Sequence, residues 1–290
     1  MMRTPIFTGV CTALVTPFLD GKVNYPMMEM LLRRQMDAGI KACVIGGTTG
    51  EASTLSDDEK LNLFRLCKEY VGDRMKIIAG TGANNTSHAV YLSKEAEKCG
   101  ADGLLVVSPY YNKATPDGLI AHYITIANSV KIPMIIYNVP SRTGVDIPVS
   151  VYKTLSKIPN IVGVKEASSD ITKTVKILAN CQKDFCVYSG NDDMIAPIIA
   201  LGGKGVISVF SNIAPVEARF LAEAALDGDF DTASALQIDL QPLIELLFCE
   251  VNPIPVKAAM KQIGYDCGDC RLPLTALTES NQKRLEAYFP

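Results

Sequence analysis

Histidine is scarce: only His88 and His122 occur in 290 residues, each in a helix-like segment. A histidine-rich metal site and a Ser-His-Asp triad are therefore disfavoured, and chemistry at a carbonyl carbon has to look to an amine as its electron sink. Long apolar runs are missing too. No stretch approaches the ~18 residues of a membrane span, and residues 1–9 lack the apolar core of a signal peptide. There is no lysine/arginine-rich block, and the net charge is −3, so neither nucleic acid nor an anionic membrane is an expected partner. An anionic substrate would have to be drawn by local cations. The nine cysteines, an odd number, are scattered through strand-like and helix-like segments. They read as small buried hydrophobes in a reducing, cytoplasmic compartment rather than as a disulfide framework. Only Cys267 and Cys270 have metal or redox spacing, and no second pair or nearby histidine accompanies them.

What is present is an ordinary soluble composition, 48% hydrophobic and 20% charged, in a chain long enough for one large domain or a domain with an appendage. Apolar strand-like runs recur at Gly9–Phe18, Ala42–Gly47, Lys76–Thr81, Gly103–Ser108, Pro133–Asn138, Ile161–Glu166, Phe185–Ser189 and Gly205–Val209. Segments of helical periodicity lie between them. Ser56-Asp57-Asp58-Glu59 is a capping box before Leu61, Leu63 and Phe64; Thr86 opens a helix that closes at Gly100; Asp170 is placed to cap the next but two. Eight strand–helix rounds within some 225 residues match a (β/α)₈ TIM barrel. A doubly wound open sheet is the alternative, but no G-x-G-x-x-G follows the first strand. Beyond that point only helical stretches follow (230–249, 254–263, 278–288). The expected organisation is a barrel over residues 1–224 and a small C-terminal helical domain over 225–290.

In such a barrel, active sites gather at the C-terminal ends of the strands. Lys165 ends the sixth run and Tyr137 the fifth. Thr48 and Thr49 follow the second, and Tyr110 and Tyr111 the fourth. Burial disfavours the ammonium form of a lysine, and a neutral amine can attack a carbonyl to form a Schiff base. A phenol within reach could shuttle the protons that imine chemistry requires. Period-two alternation puts Gly163 and Lys165 on the interior face, with Val162, Val164 and Glu166 toward the helices, and Gly163 leaves room beside the amine. The bland alternative is a lysine that snorkels to the rim and a tyrosine whose hydroxyl stays wet. Gly46-Gly47-Thr48-Thr49-Gly50-Glu51 is no P-loop; its N–H groups and hydroxyls could cup a carboxylate, or it is a simple tight turn. Arg142, just past the fifth strand, could clamp a carboxylate bidentately or be a solvated loop residue. Glu51 would cap the following helix.

Taken together, Gly46–Glu51, Tyr110-Tyr111-Asn112, Tyr137-Asn138-Val139-Pro140, Gly163-Val164-Lys165-Glu166-Ala167 and Asn252-Pro253-Ile254-Pro255-Val256-Lys257 occur in an order that resembles one known family over nearly the whole chain. This is the dihydrodipicolinate synthase family, within the pyruvate-dependent class I aldolase and N-acetylneuraminate lyase superfamily. The resemblance implies condensation of pyruvate with L-aspartate 4-semialdehyde, without metal or cofactor beyond a covalent pyruvate imine on Lys165. Tyr137 would move protons, with Thr48 linking it to Tyr111. Thr49, with the backbone at Gly190 and Ile207, would hold the pyruvate carboxylate, and Arg142 the semialdehyde carboxylate. Tyr111 would reach a neighbouring subunit, implying a dimer, usually within a homotetramer. Sister lyases that cleave 2-keto-3-deoxy sugar acids share the lysine and tyrosine but generally lack the arginine. A barrel that only binds a keto acid is a further alternative.

Lysine-inhibited members of the family bind free L-lysine at a dimer interface. The corresponding positions here are Ala52, Ser53, Asp57, Lys60, Asn84, His88 and Tyr110. His88 stands in place of a glutamate and Lys60 in place of a histidine, so the resemblance implies a degenerate site.

Overall fold

The computed structural model describes residues 3–289. Eight parallel strands close into a barrel: β1 (Gly9–Ala13), β2 (Ala42–Ile45), β3 (Lys76–Gly80), β4 (Gly103–Val107), β5 (Met134–Asn138), β6 (Ile161–Glu166), β7 (Cys186–Ser189) and β8 (Gly205–Ser208). β1 pairs with both β2 and β8, which shuts the ring. The strands are buried on both faces, as their near-continuous apolar runs require. Inward-facing Cys11, Val44, Ile78, Leu105, Ile135 and Ile207 fill the barrel interior. Outward-facing residues such as Ile136 and Val164 pack in one cluster with Phe64, Leu63 and Ile177 beneath the helices. The floor is sealed by Phe7, whose ring stacks on Tyr188 at 4.4 Å and whose carbonyl accepts the Tyr188 hydroxyl at 2.9 Å.

The helix signals fold as their chemistry dictates, with one exception. The Ser56 hydroxyl accepts from Glu59 N at 3.2 Å while Glu59 Oε2 accepts from Ser56 N at 2.9 Å, a reciprocal cap on the helix Asp57–Val71. Asp170 does occupy the cap position of the helix Ile171–Asn180, but its side chain makes no capping bond.

Three expectations are corrected. Phe18 does not continue the first strand; it starts a short antiparallel pair, Phe18–Leu19 with Lys22–Val23. Val162 does not face the helices. Met134 pairs with Ile161 but Ile135 pairs with Gly163, so a bulge skips Val162 and turns it into the interior cluster. Gly163 opens no space beside the amine, because a Cβ there would meet the Cys186 carbonyl at 2.5 Å and the Cys186 Cβ at 2.9 Å. The glycine is demanded by the close approach of β7.

After the barrel helix Pro215–Leu226 come the helices Phe230–Leu247, Ile254–Gln262 and Glu279–Tyr288. Asn252 and Lys257 come back from this segment to the mouth of the barrel, where Lys257 Nζ meets Glu51 Oε1 at 2.9 Å. No helix of the described residues is long and apolar enough to cross a membrane.

Candidate active site

β5 and β6 run side by side with Tyr137 in register with Lys165. Neighbours in parallel register point to the same face, so both side chains enter the barrel at its C-terminal end. The Lys165 amine lies 4.4 Å from the centre of the Tyr137 ring, and Lys165 is only 4% exposed. The snorkelling alternative is thereby excluded: the amine is held inside, over a phenol.

A second acid group lies near this amine that sequence reading did not single out. Asp192 is buried just past β7, and its Oδ2 accepts from Val209 N at 3.0 Å and Phe210 N at 2.9 Å. Its Oδ1 has no partner among the described residues. Burial pushes this carboxyl up from its ordinary range, opposed by the nearby Ser208 hydroxyl, two backbone N–H groups and the positive field of Lys165. Asp192 stands in a Gly-Asn-Asp-Asp turn that looks from sequence like a solvated loop, and only the closure of β7 against β8 buries it.

A cavity of about 510 Å³ opens at this end, lined by Thr48, Val107, Tyr110, Val139, Arg142 and Asn252, among others. The glycine-rich turn forms one wall. Its Glu51 and Ala52 N–H groups close back on the Thr48 and Gly47 carbonyls. The Thr48 and Thr49 N–H groups have no hydrogen-bond partner among the described residues. Two adjacent free N–H groups beside a hydroxyl are suited to an anion. Thr49 itself is buried, and its Oγ1 accepts from Asn252 Nδ2 at 2.9 Å. Glu51 is not a helix cap. It is buried with a left-handed φ of 55°, paired with Lys257, and accepts from Arg271 N at 2.8 Å.

Arg142 lies on a one-turn helix, Pro140–Thr143, rather than a loop, and donates to the Asn252 carbonyl at 3.1 Å. Gly190 directly follows β7 and Ile207 lies within β8, among the interior residues of the barrel. The Gly190 N–H is already given to the Glu166 carbonyl at 2.8 Å, so this residue can offer a ligand only its carbonyl. That suits a hydroxyl or an N–H, not a carboxylate. Tyr111 is 90% exposed with φ of 74°, and its hydroxyl makes no hydrogen bond with Thr48 or Tyr137 among the described residues. Glu166 faces the helices as expected, accepting from Asn138 Nδ2 at 2.8 Å and Ser168 N at 2.9 Å.

Of the regulatory candidates, Ala52, Ser53, Asp57, Lys60, His88 and Tyr110 line the same cavity. Asn84 is tied instead through its carbonyl to Asn112 Nδ2 at 3.0 Å. His88 Nε2 lies 2.9 Å from Asp57 Oδ2. Burial lowers the pKa of Lys60, with Asp57 opposing. The Cys267 and Cys270 thiols are both pushed up to about 12 by burial, which makes them poor nucleophiles. Among the described residues no group of three or more His, Cys, Asp or Glu side chains could hold a metal ion.

Comparison with known proteins agrees with this geometry. Residues 6–289 match the model of the dihydrodipicolinate synthetase family. The 4-hydroxy-tetrahydrodipicolinate synthase of Acetivibrio thermocellus is 50% identical over 280 residues, covering 97% of this chain and 95% of the relative. The crystal structure of dihydrodipicolinate synthase from Aquifex aeolicus superposes with a TM-score of 0.96 at 43% identity, covering 97% of each chain. The chloride-inhibited enzyme of Acinetobacter baumannii, solved in complex with pyruvate, superposes with a TM-score of 0.95 at 41% identity, again over 97% of each chain. With a buried lysine and a tyrosine paired at the mouth of a closed barrel, and this likeness along almost its entire length, the chain belongs to the dihydrodipicolinate synthetase family.

Proposed function

We propose that the chain condenses pyruvate with L-aspartate 4-semialdehyde to 4-hydroxy-tetrahydrodipicolinate, through an imine on Lys165. The observation that carries this reading is the buried Lys165 amine held 4.4 Å from the Tyr137 ring centre at the C-terminal end of the barrel. The synthase name carried by a relative with half its residues identical supports the same activity.

In this reading the Lys165 nitrogen attacks C2 of pyruvate. Tyr137 gives a proton to the departing hydroxyl as the carbinolamine loses water to become the imine. The Tyr137 phenolate left by that step takes a proton from C3 to give an enamine, which attacks the aldehyde carbon of the second substrate, and the re-formed phenol protonates the new alkoxide. The substrate's own amine then adds to C2, the ring closes, and Lys165 leaves. The Thr48 and Thr49 N–H groups and the Thr49 hydroxyl receive the pyruvate carboxylate. The carbonyl of Gly190 and the backbone at Ile207 face the hydroxyl and nitrogen that form at C2. Arg142 takes the carboxylate of the semialdehyde at the cavity rim, the contact that favours this substrate over a sugar acid.

Thr48 links Tyr137 to a Tyr111 supplied by a second subunit, which is consistent with the 90% exposure of Tyr111 within one chain. The working form is accordingly a homodimer at least, paired into a tetramer. Residues 1–224 act as the catalytic barrel and 225–290 as a helical domain that buttresses its mouth. The compartment is the cytoplasm.

Borohydride reduction with pyruvate, followed by peptide mass mapping, tests the reading. The three-carbon adduct is expected on Lys165 and is lost in Lys165→Ala; a label on any other lysine overturns it.

A further inference from the structure

The segment Asn252-Pro253-Ile254-Pro255-Val256-Lys257 stands far from the barrel strands in sequence, yet its first residue reaches both carboxylate-binding positions. Asn252 is buried at the cavity wall. Its side-chain Nδ2 donates to Thr49 Oγ1 at 2.9 Å, and its backbone carbonyl accepts from the Arg142 guanidinium at 3.1 Å.

We infer that Asn252 is a positioning residue that fixes the direction in which Thr49 presents its hydroxyl proton, and so the sign of the ligand this wall accepts. A hydroxyl carries one proton and two lone pairs. With an amide N–H occupying a lone pair of Thr49 Oγ1, the proton is directed elsewhere and is available to an acceptor such as a carboxylate. The reversed amide would take that proton on its carbonyl and leave Thr49 facing the ligand as an acceptor, which repels an anion. Packing selects the first orientation. Asn252 Oδ1 lies buried without a partner, so reversing the amide would strand two N–H donors there in place of one carbonyl. The same residue holds Arg142 through its main chain, which no side-chain substitution removes. The two functions are therefore separable by mutation.

The inference deepens the pyruvate reading above and rests on it. Asn252→Leu keeps much of the side-chain volume and deletes the donor, and Asn252→Ala serves if leucine does not fold. Pyruvate is the probe, read both as the half-saturating concentration for borohydride trapping and as KM. Either variant is expected to raise both by about tenfold, while KM for the semialdehyde moves by less than about threefold. A purely structural role would shift both substrates together. A double-mutant cycle with Thr49→Val gives the second readout: once Thr49 has no hydroxyl, loss of the Asn252 amide costs little more. If wild type is not labelled on Lys165, the functional reading itself fails. If wild type is labelled but the Asn252 variants bind pyruvate normally, weaken both substrates equally, or add fully to Thr49→Val, the positioning role is overturned.

Discussion

His88 Nε2 lies 2.9 Å from Asp57 Oδ2, a hydrogen-bonded pair on the wall of the cavity. Asp57 is placed to meet a ligand ammonium on this wall, but the imidazole of His88 already occupies it. Lys60 adds a cation beside it. A ligand carrying two ammonium groups thus loses a charge-assisted bond of ~1.5–3 kcal/mol and meets repulsion besides. Turnover measured against increasing L-lysine at constant ionic strength should fall only weakly or not at all. Potent, saturable inhibition would mean that another set of partners binds the amino acid.

Arg142 is solvent-facing at the rim and held by one carbonyl. Arg142→Ala should therefore leave pyruvate trapping nearly intact and lower kcat/KM for the semialdehyde by ten- to hundredfold, the worth of a charge-assisted pair of ~1.5–3 kcal/mol. Equal loss in trapping would move Arg142 to the pyruvate side of the reaction.

His122 is expected to contribute to the acid sensitivity of the fold. It is buried, Nδ1 meets Thr86 Oγ1 at 2.9 Å, and Nε2 has no partner among the described residues. Burial lowers its pKa from 6.5 to about 4. The unfolded chain takes up this proton near pH 6.5, whereas the folded protein resists it until about pH 4. Between those values the unfolded state binds more protons, so stability is lost as the pH falls, by roughly 3 kcal/mol from this group. Denaturant titrations from pH 7 to 4 should show a shallower decline in His122→Asn than in wild type. Parallel curves would remove His122 from the account.

Barrel and chemistry were legible in the sequence for a shared reason. Alternation along β5 and β6 and the placement of Tyr137 and Lys165 at strand ends are local patterns, and the ring closure they imply then brings the two together. The errors arose where distant backbone decides. Gly163 looked like room for a ligand until β7 was seen to fill it with Cys186. Glu51 looked like a cap because its partner, Lys257, lies 206 residues away. Asn252 and Asp192 give no local signal, since an asparagine before proline and an aspartate in a Gly-Asn-Asp-Asp run read as turn residues. Their burial comes from chain return and sheet closure.

The bulge at Val162 separates two demands on one strand. Below it the chain must match the shape of the barrel floor; above it Lys165 must stay opposite Tyr137. Because the skipped residue absorbs the mismatch between those registers, Ile161 keeps its pairing with Met134 at the floor while Lys165 stays opposite Tyr137 at the mouth. Without such a hinge, a one-residue slip anywhere along the strand would carry the amine to the helix side and end catalysis at a stroke.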